Sequence, residues 1–188
     1  MNVWAATLLV VANMKKTSKV ALCGILAALQ IVVMLVAYFP YLTFALPAIA
    51  GCLAIPVVIE VGKKYAVATY VSVAVLSFIL CEKEASTYYI FLFGYYPVLK
   101  AVIEKAKSKV LQWIAKISTS CVSFVLAYYL SSFVLQIELE TLGDFGKFSV
   151  LILLLLFVAM FVVYDFAVSN VVRLYIVRFR KLVKKIFN

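Results

Sequence analysis

Three ionisable residues stand inside otherwise apolar runs, and they are the first places to look for chemistry in this chain. Asp165 lies in Tyr164-Asp165-Phe166-Ala167-Val168-Ser169-Asn170, with Ser169 one turn on and Arg173 a turn further. Glu60 lies near the end of one apolar run and Lys100 near the end of another. A charge held in hydrocarbon costs roughly 2.5–3.5 kcal/mol at mid-helix unless it is paired or wetted. Asp165, Glu60 and Lys100 are therefore expected to form an inter-helix ion pair or triad that fixes packing, or to carry a coupling or transport role.

Other routes to chemistry are closed. The sequence has no histidine, which removes the commonest general base and metal ligand together. Cys23, Cys52, Cys81 and Cys121 are scattered without metal-ligand spacing and read as small apolar side chains. No Gly-rich phosphate loop is present, and no span carries paired carboxylates at helical spacing. No catalytic residue, metal or cofactor is expected, and the chain does not read as an enzyme.

Aromatic and hydroxyl residues offer a binding surface instead. Tyr89, Phe93, Tyr96 and Lys100 recur at helical spacing, and Tyr88, Phe91 and Tyr95 form a second stripe. Pro97 cannot donate to the carbonyl of Phe93, and Gly94 beside it lacks bulk, so a kink with a freed carbonyl is expected. Such breaks at membrane depth occur where the backbone is buried or lines a cavity. Pro47 and Pro56 free the carbonyls of Thr43 and Cys52 in the same way. Depth along the helices groups Glu84, Tyr88, Tyr89, Tyr128, Tyr129, Ser132 and Gln136 as the lining of an outward-facing pocket.

The elements that must position these residues follow from composition. Of 188 residues, 67% are hydrophobic and 14% charged, far from the roughly 45–50% apolar and 25% charged of a soluble domain. Six runs approach the ~20 residues needed to cross a bilayer: 20–39, 42–61, 65–81, 85–103, 117–135 and 148–172. The expected fold is all-α, a six-helix transmembrane bundle over residues 14–175. Gly62-Lys63-Lys64 makes a tight hairpin between the second and third spans.

Sixteen of the 18 Lys and Arg residues fall on one side of this arrangement, leaving only Lys83 and Lys147 on the other. The asymmetry predicts a plasma-membrane protein with both termini cytoplasmic. The net charge of +10 then belongs to the inner face and not to a nucleic-acid site. Residues 176–188 form a basic cytoplasmic tail suited to anionic lipid or to a cytoplasmic partner. Residues 1–13 are apolar but too short to span, and their basic residues follow the apolar stretch. They read as an upstream extension of the gene or a loose interfacial segment.

The first span carries small residues four apart, Gly24/Ala28 and Cys23/Ala27, which make a smooth face for internal packing or for a separate membrane subunit. With the basic start Lys15-Lys16-Thr17-Ser18-Lys19, the helix Val20 to Leu29, six spans and both ends inside, the chain resembles an S component. S components are the substrate-binding membrane subunits of energy-coupling factor (ECF) vitamin transporters. The resemblance implies a vitamin or similar micronutrient bound near the outer surface. It also implies partnership, through Cys23, Gly24, Ala27 and Ala28, with a coupling transmembrane subunit and two cytoplasmic ATPases. The alternative is a small multi-pass scaffold of the rod-shape-determining type, working through its basic face with no small-molecule substrate. A self-contained carrier is disfavoured by the lack of a repeated half.

Overall fold

The computed structural model describes residues 15–39, 42–106, 108–134 and 149–179. The N-terminal extension, Gln136, the acidic residues Glu138, Glu140 and Asp144, and the tail beyond Phe179 lie outside them. Among the described residues the fold is all-α, with no strand. Helix α1 spans Lys16–Leu35 and tightens into a 3₁₀ turn at Val36–Tyr38. Helix α2, Ala45–Cys52, continues after a turn into a wider π segment, Val57–Val61. Helix α3 covers Lys63–Leu80 and α4 covers Lys83–Tyr88. A π turn at Tyr89–Phe93 then leads to α5, Tyr96–Ile103. Helix α6, Lys109–Val134, and helix α7, Ser149–Leu174, complete the fold, and α7 runs on through a π turn at Tyr175–Phe179.

Among the described residues, four helical stretches are long and apolar enough to cross a membrane: Lys16–Tyr38, Lys63–Leu80, Lys109–Ala127 and Leu154–Arg178. The other two expected spans are apolar but broken. Ala45–Val61 is a shorter apolar helix that tightens into a turn at Leu53 and Ala54, where Pro56 has no N–H to offer the Cys52 carbonyl. Lys83–Ile103 is interrupted by the π turn and by Gly94 and Tyr95. The charged stretch before the fifth run is helical from Lys109, as a helical approach to that span requires. Gly62 joins the second and third runs with φ +105°, a backbone state that glycine adopts without strain.

The polarity of the fold is reversed from that of a soluble domain. Large apolar side chains such as Val20, Ile25, Val32, Ile79, Val125 and Leu155 face outward. Gln30, Glu60, Lys100, Ser77, Ser86 and Ser120 are fully buried. This is the distribution expected where lipid is the surrounding solvent, since polar groups there must find partners inside the bundle.

The broken fourth run is the centre of the bundle. In its π turn the Gly94 N–H bonds to the Tyr89 carbonyl at 2.7 Å, five residues back. The Ile90 carbonyl, which Gly94 would satisfy in an α-helix, accepts from the Tyr70 hydroxyl of α3 at 2.8 Å. The Phe93 carbonyl freed by Pro97 accepts from the Tyr164 hydroxyl of α7 at 3.1 Å. Gly51 of α2 packs against the same junction: a Cβ there would stand 2.5 Å from the Phe93 oxygen and 2.6 Å from the Tyr164 hydroxyl. Overpacking a tight site costs roughly 1–3 kcal/mol. Gly51→Ala is therefore expected to lower stability by about that amount. Gly24→Ala, where a Cβ would meet nothing within 4 Å in mid-helix, is expected not to lower it. Thermal unfolding of the two variants in detergent makes the comparison.

Candidate functional site

Tyr96, Lys100 and Glu104 follow one another at four-residue spacing, so α5 presents them as a single stripe. That stripe meets α6 and α7 in a buried ionic cluster. The Lys100 ammonium donates to the Asp165 carboxylate, to the Asp165 main-chain carbonyl at 2.7 Å and to the Ser169 hydroxyl at 2.7 Å. The Tyr96 hydroxyl donates to the same carboxylate oxygen at 2.5 Å. The other Asp165 oxygen accepts from Lys116 of α6 at 2.9 Å, and Lys116 also donates to Glu104 at 3.0 Å. Glu104 stands 3.5 Å from Lys100. Two cations and two carboxylates thus neutralise one another, and both oxygens of Asp165 are occupied.

Lys100 pairs with Asp165, and Ser169 lies on the same face of α7. The rest of the cluster was not foreseen from the sequence. Glu104 and Lys116 bracket a charged segment that reads as a surface linker, yet the helical approach of α6 folds Lys116 back under the bundle. Gln112 secures that turn by donating to the Ala106 carbonyl at 2.7 Å. The stripe spacing of Tyr96, Lys100 and Glu104 was the available signal. Glu60 is fully buried in the π segment Val57–Val61 of the second run, while Glu104 and Lys116 join the other two intramembrane charges.

The residues expected to line an outer pocket are dispersed. Glu84 is exposed on α4, and Tyr88 stacks on Phe44 with ring centroids 4.4 Å apart. Tyr89 is buried and donates to the Gln30 side-chain carbonyl of α1 at 2.6 Å. Tyr129 is exposed on α6. Tyr128 and Ser132 lie on α6 with side chains outside the described part, as does the whole of Gln136. The small residues of α1 divide between two environments. Cys23 and Ala27 are half-buried along a groove of about 340 Å³ against Tyr65, Ala68 and Thr69 of α3, Gly24 lines the same groove at its exposed rim, and Ala28 is exposed.

A cavity of about 390 Å³ opens instead beside the break in the fourth run, between α3 and α6. Tyr70, Ile90, Phe91, Tyr95, Thr119 and Ser123 are among its walls, and no charged residue lines it. Tyr95 and Ser123 share a hydrogen bond across it, and Thr119 bonds back to the Ala115 carbonyl at 2.8 Å. Its walls join Phe91 and Tyr95 of the second aromatic stripe to Ser118, Thr119 and Ser123 of α6.

Removing one partner of a buried ion pair leaves an uncompensated charge, a loss of roughly 3–5 kcal/mol, whereas replacing both by apolar residues is far milder. Asp165→Asn is expected to destabilise by about that amount. The double variant Lys100→Met/Asp165→Leu, which keeps the Lys116–Glu104 pair, is expected to lose less, as read by unfolding in detergent. Comparison of the chain with protein-family models, with curated proteins and with solved structures gives no match.

Proposed function

We propose that this chain is a multi-pass plasma-membrane protein that binds a small uncharged solute beside its broken fourth span. In this reading it is the substrate-specific subunit of an ECF-type importer. The observation that carries the reading is the cavity of about 390 Å³ at the helix break, walled by tyrosine and hydroxyl side chains without charge. Interrupted helices with binding sites near the bilayer midplane are a recurrent device of membrane transport proteins. The hydroxyls there are largely committed to one another and to backbone carbonyls. Such a surface selects a solute by shape, stacking and a few hydrogen bonds. A vitamin-sized compound with an aromatic or similarly flat portion fits that chemistry. Energy comes from ATPases in other chains, joined through a coupling membrane subunit, as the resemblance to S components implies.

In the membrane frame, α1, Ala45–Val61, α3, Lys83–Ile103, α6 and α7 make six crossings, with both termini on the basic, cytoplasmic side. The support is the charge asymmetry of the connections together with the tight turn at Gly62. Single cysteines placed at Glu84 and at Lys64, in a chain cleared of its four native cysteines, test this orientation. An impermeant maleimide added to intact cells is expected to label Glu84→Cys at once and Lys64→Cys only after permeabilisation. The reverse pattern overturns the topology.

The functional test is purification of the tagged chain from native membranes in mild detergent, with mass spectrometry of retained proteins and small molecules. Two ATPases, a membrane coupling protein and one bound solute are expected. Val122→Trp, which fills the cavity from its exposed rim, is expected to lose the solute and keep the proteins. Recovery of cell-wall or division proteins, with no ATPase and no solute, overturns the reading in favour of a scaffold.

A further inference from the structure

A second cavity has a different character. Between α1, the turn in the second run and the end of α7 lies a groove of about 330 Å³, with Leu22, Leu26, Leu53, Pro56, Leu174 and Tyr175 among its walls. Leu53 and Pro56 form its floor at the turn that separates Ala45–Cys52 from the π segment Val57–Val61. An apolar slot between lipid-facing helices excludes water and matches a hydrocarbon chain. Each flanking helix carries a cation one turn beyond the slot on the face that lines it. Lys19 precedes Leu22 by three residues and Leu26 by seven, and Arg178 follows Leu174 by four. Lys19 is half-buried and Arg178 exposed, so both side chains remain open to a ligand at the slot's end.

We infer that this groove is a binding site for one anionic phospholipid of the inner leaflet. An acyl chain lies in the slot, and the headgroup phosphate rests between Lys19 and Arg178. An apolar slot that ends in two cations complements an amphiphile with an anionic head. A zwitterionic lipid fills the same slot but gains less from the pair, since its own ammonium opposes them. The inference takes from the proposed topology only that the start of α1 and the end of α7 share the inner face. It requires neither a transported solute nor an ATPase. Bound there, the lipid would brace the first and last spans against the turn in the second.

The test is the thermal unfolding midpoint of the full chain in detergent, with phosphatidylglycerol or phosphatidylcholine added back. Phosphatidylglycerol is expected to raise the midpoint more than phosphatidylcholine. That excess is expected to vanish in Lys19→Gln/Arg178→Gln and to persist in Lys63→Gln/Lys64→Gln, which removes two equally basic residues at the Gly62 hairpin. An excess that survives the first pair, or that falls equally with both pairs, overturns the site in favour of diffuse attraction to a basic surface. Leu53→Trp, which fills the slot, is expected to lose the lipid retained in native mass spectrometry. Undiminished retention in that variant overturns the acyl-chain placement. Failure of the topology itself would appear separately, in the labelling of Glu84→Cys and Lys64→Cys.

Discussion

Backbone carbonyls freed inside an apolar bundle must find donors, and this requirement organises the molecule. Two carbonyls of the fourth run lose their regular N–H donors, Ile90 through the π turn and Phe93 through Pro97. Water is not at hand, so an unmet carbonyl there would cost several kcal/mol. Tyr70 from α3 and Tyr164 from α7 supply the donors. Each tyrosine adds a bulky ring to the hydroxyl it brings, and the rings of Phe93, Tyr96 and Tyr164 pack edge-on or tilted around the break. Gly51 is the counterpart on α2, the position where absence of a side chain lets the broken segment come close.

The ionic cluster extends the same logic one turn further along. Lys100 is fully buried, and in a low dielectric its charge is tolerable because carboxylate, carbonyl and hydroxyl oxygens surround it. The cluster joins α5, α6 and α7, while the hydroxyl pairs Tyr89–Gln30 and Tyr95–Ser123 join the broken run to α1 and α6. The fourth run is thereby bonded to α1, α3, α6 and α7. Association of helices in lipid draws little on hydrophobic burial, so close packing and polar contacts of this kind must fix the arrangement.

Rigidity at the centre leaves openings at the edges. A cavity opens beside each of the two interrupted runs. The one at the fourth run is uncharged and rich in aromatic and hydroxyl groups. The one at the second run is largely apolar. The two openings differ through the side chains around them, and those side chains set what each space accepts.

By itself the sequence determined the helical class, the positions of the apolar runs, the asymmetry of basic residues and the sites of chain breaking at Pro56, Gly62 and Pro97. These are local properties: run length, residue period and the missing N–H of proline act within a few residues of where they are written. It also made Asp165 and Lys100 conspicuous, because an isolated charge in an apolar run needs a partner wherever it lies. Only the tertiary structure decided which partners they have. Glu104 and Lys116 sit in a segment whose local composition is that of a surface, and the fold of α6 against α5 draws them inward. Tertiary packing also chose Tyr164 and Tyr70 as donors to the freed carbonyls, turned Tyr89 towards Gln30, and put Tyr95 across from Ser123. Spacing along one helix records which residues share a face. Which faces meet depends on how helices far apart in sequence pack together, and one-dimensional periodicity does not contain that information.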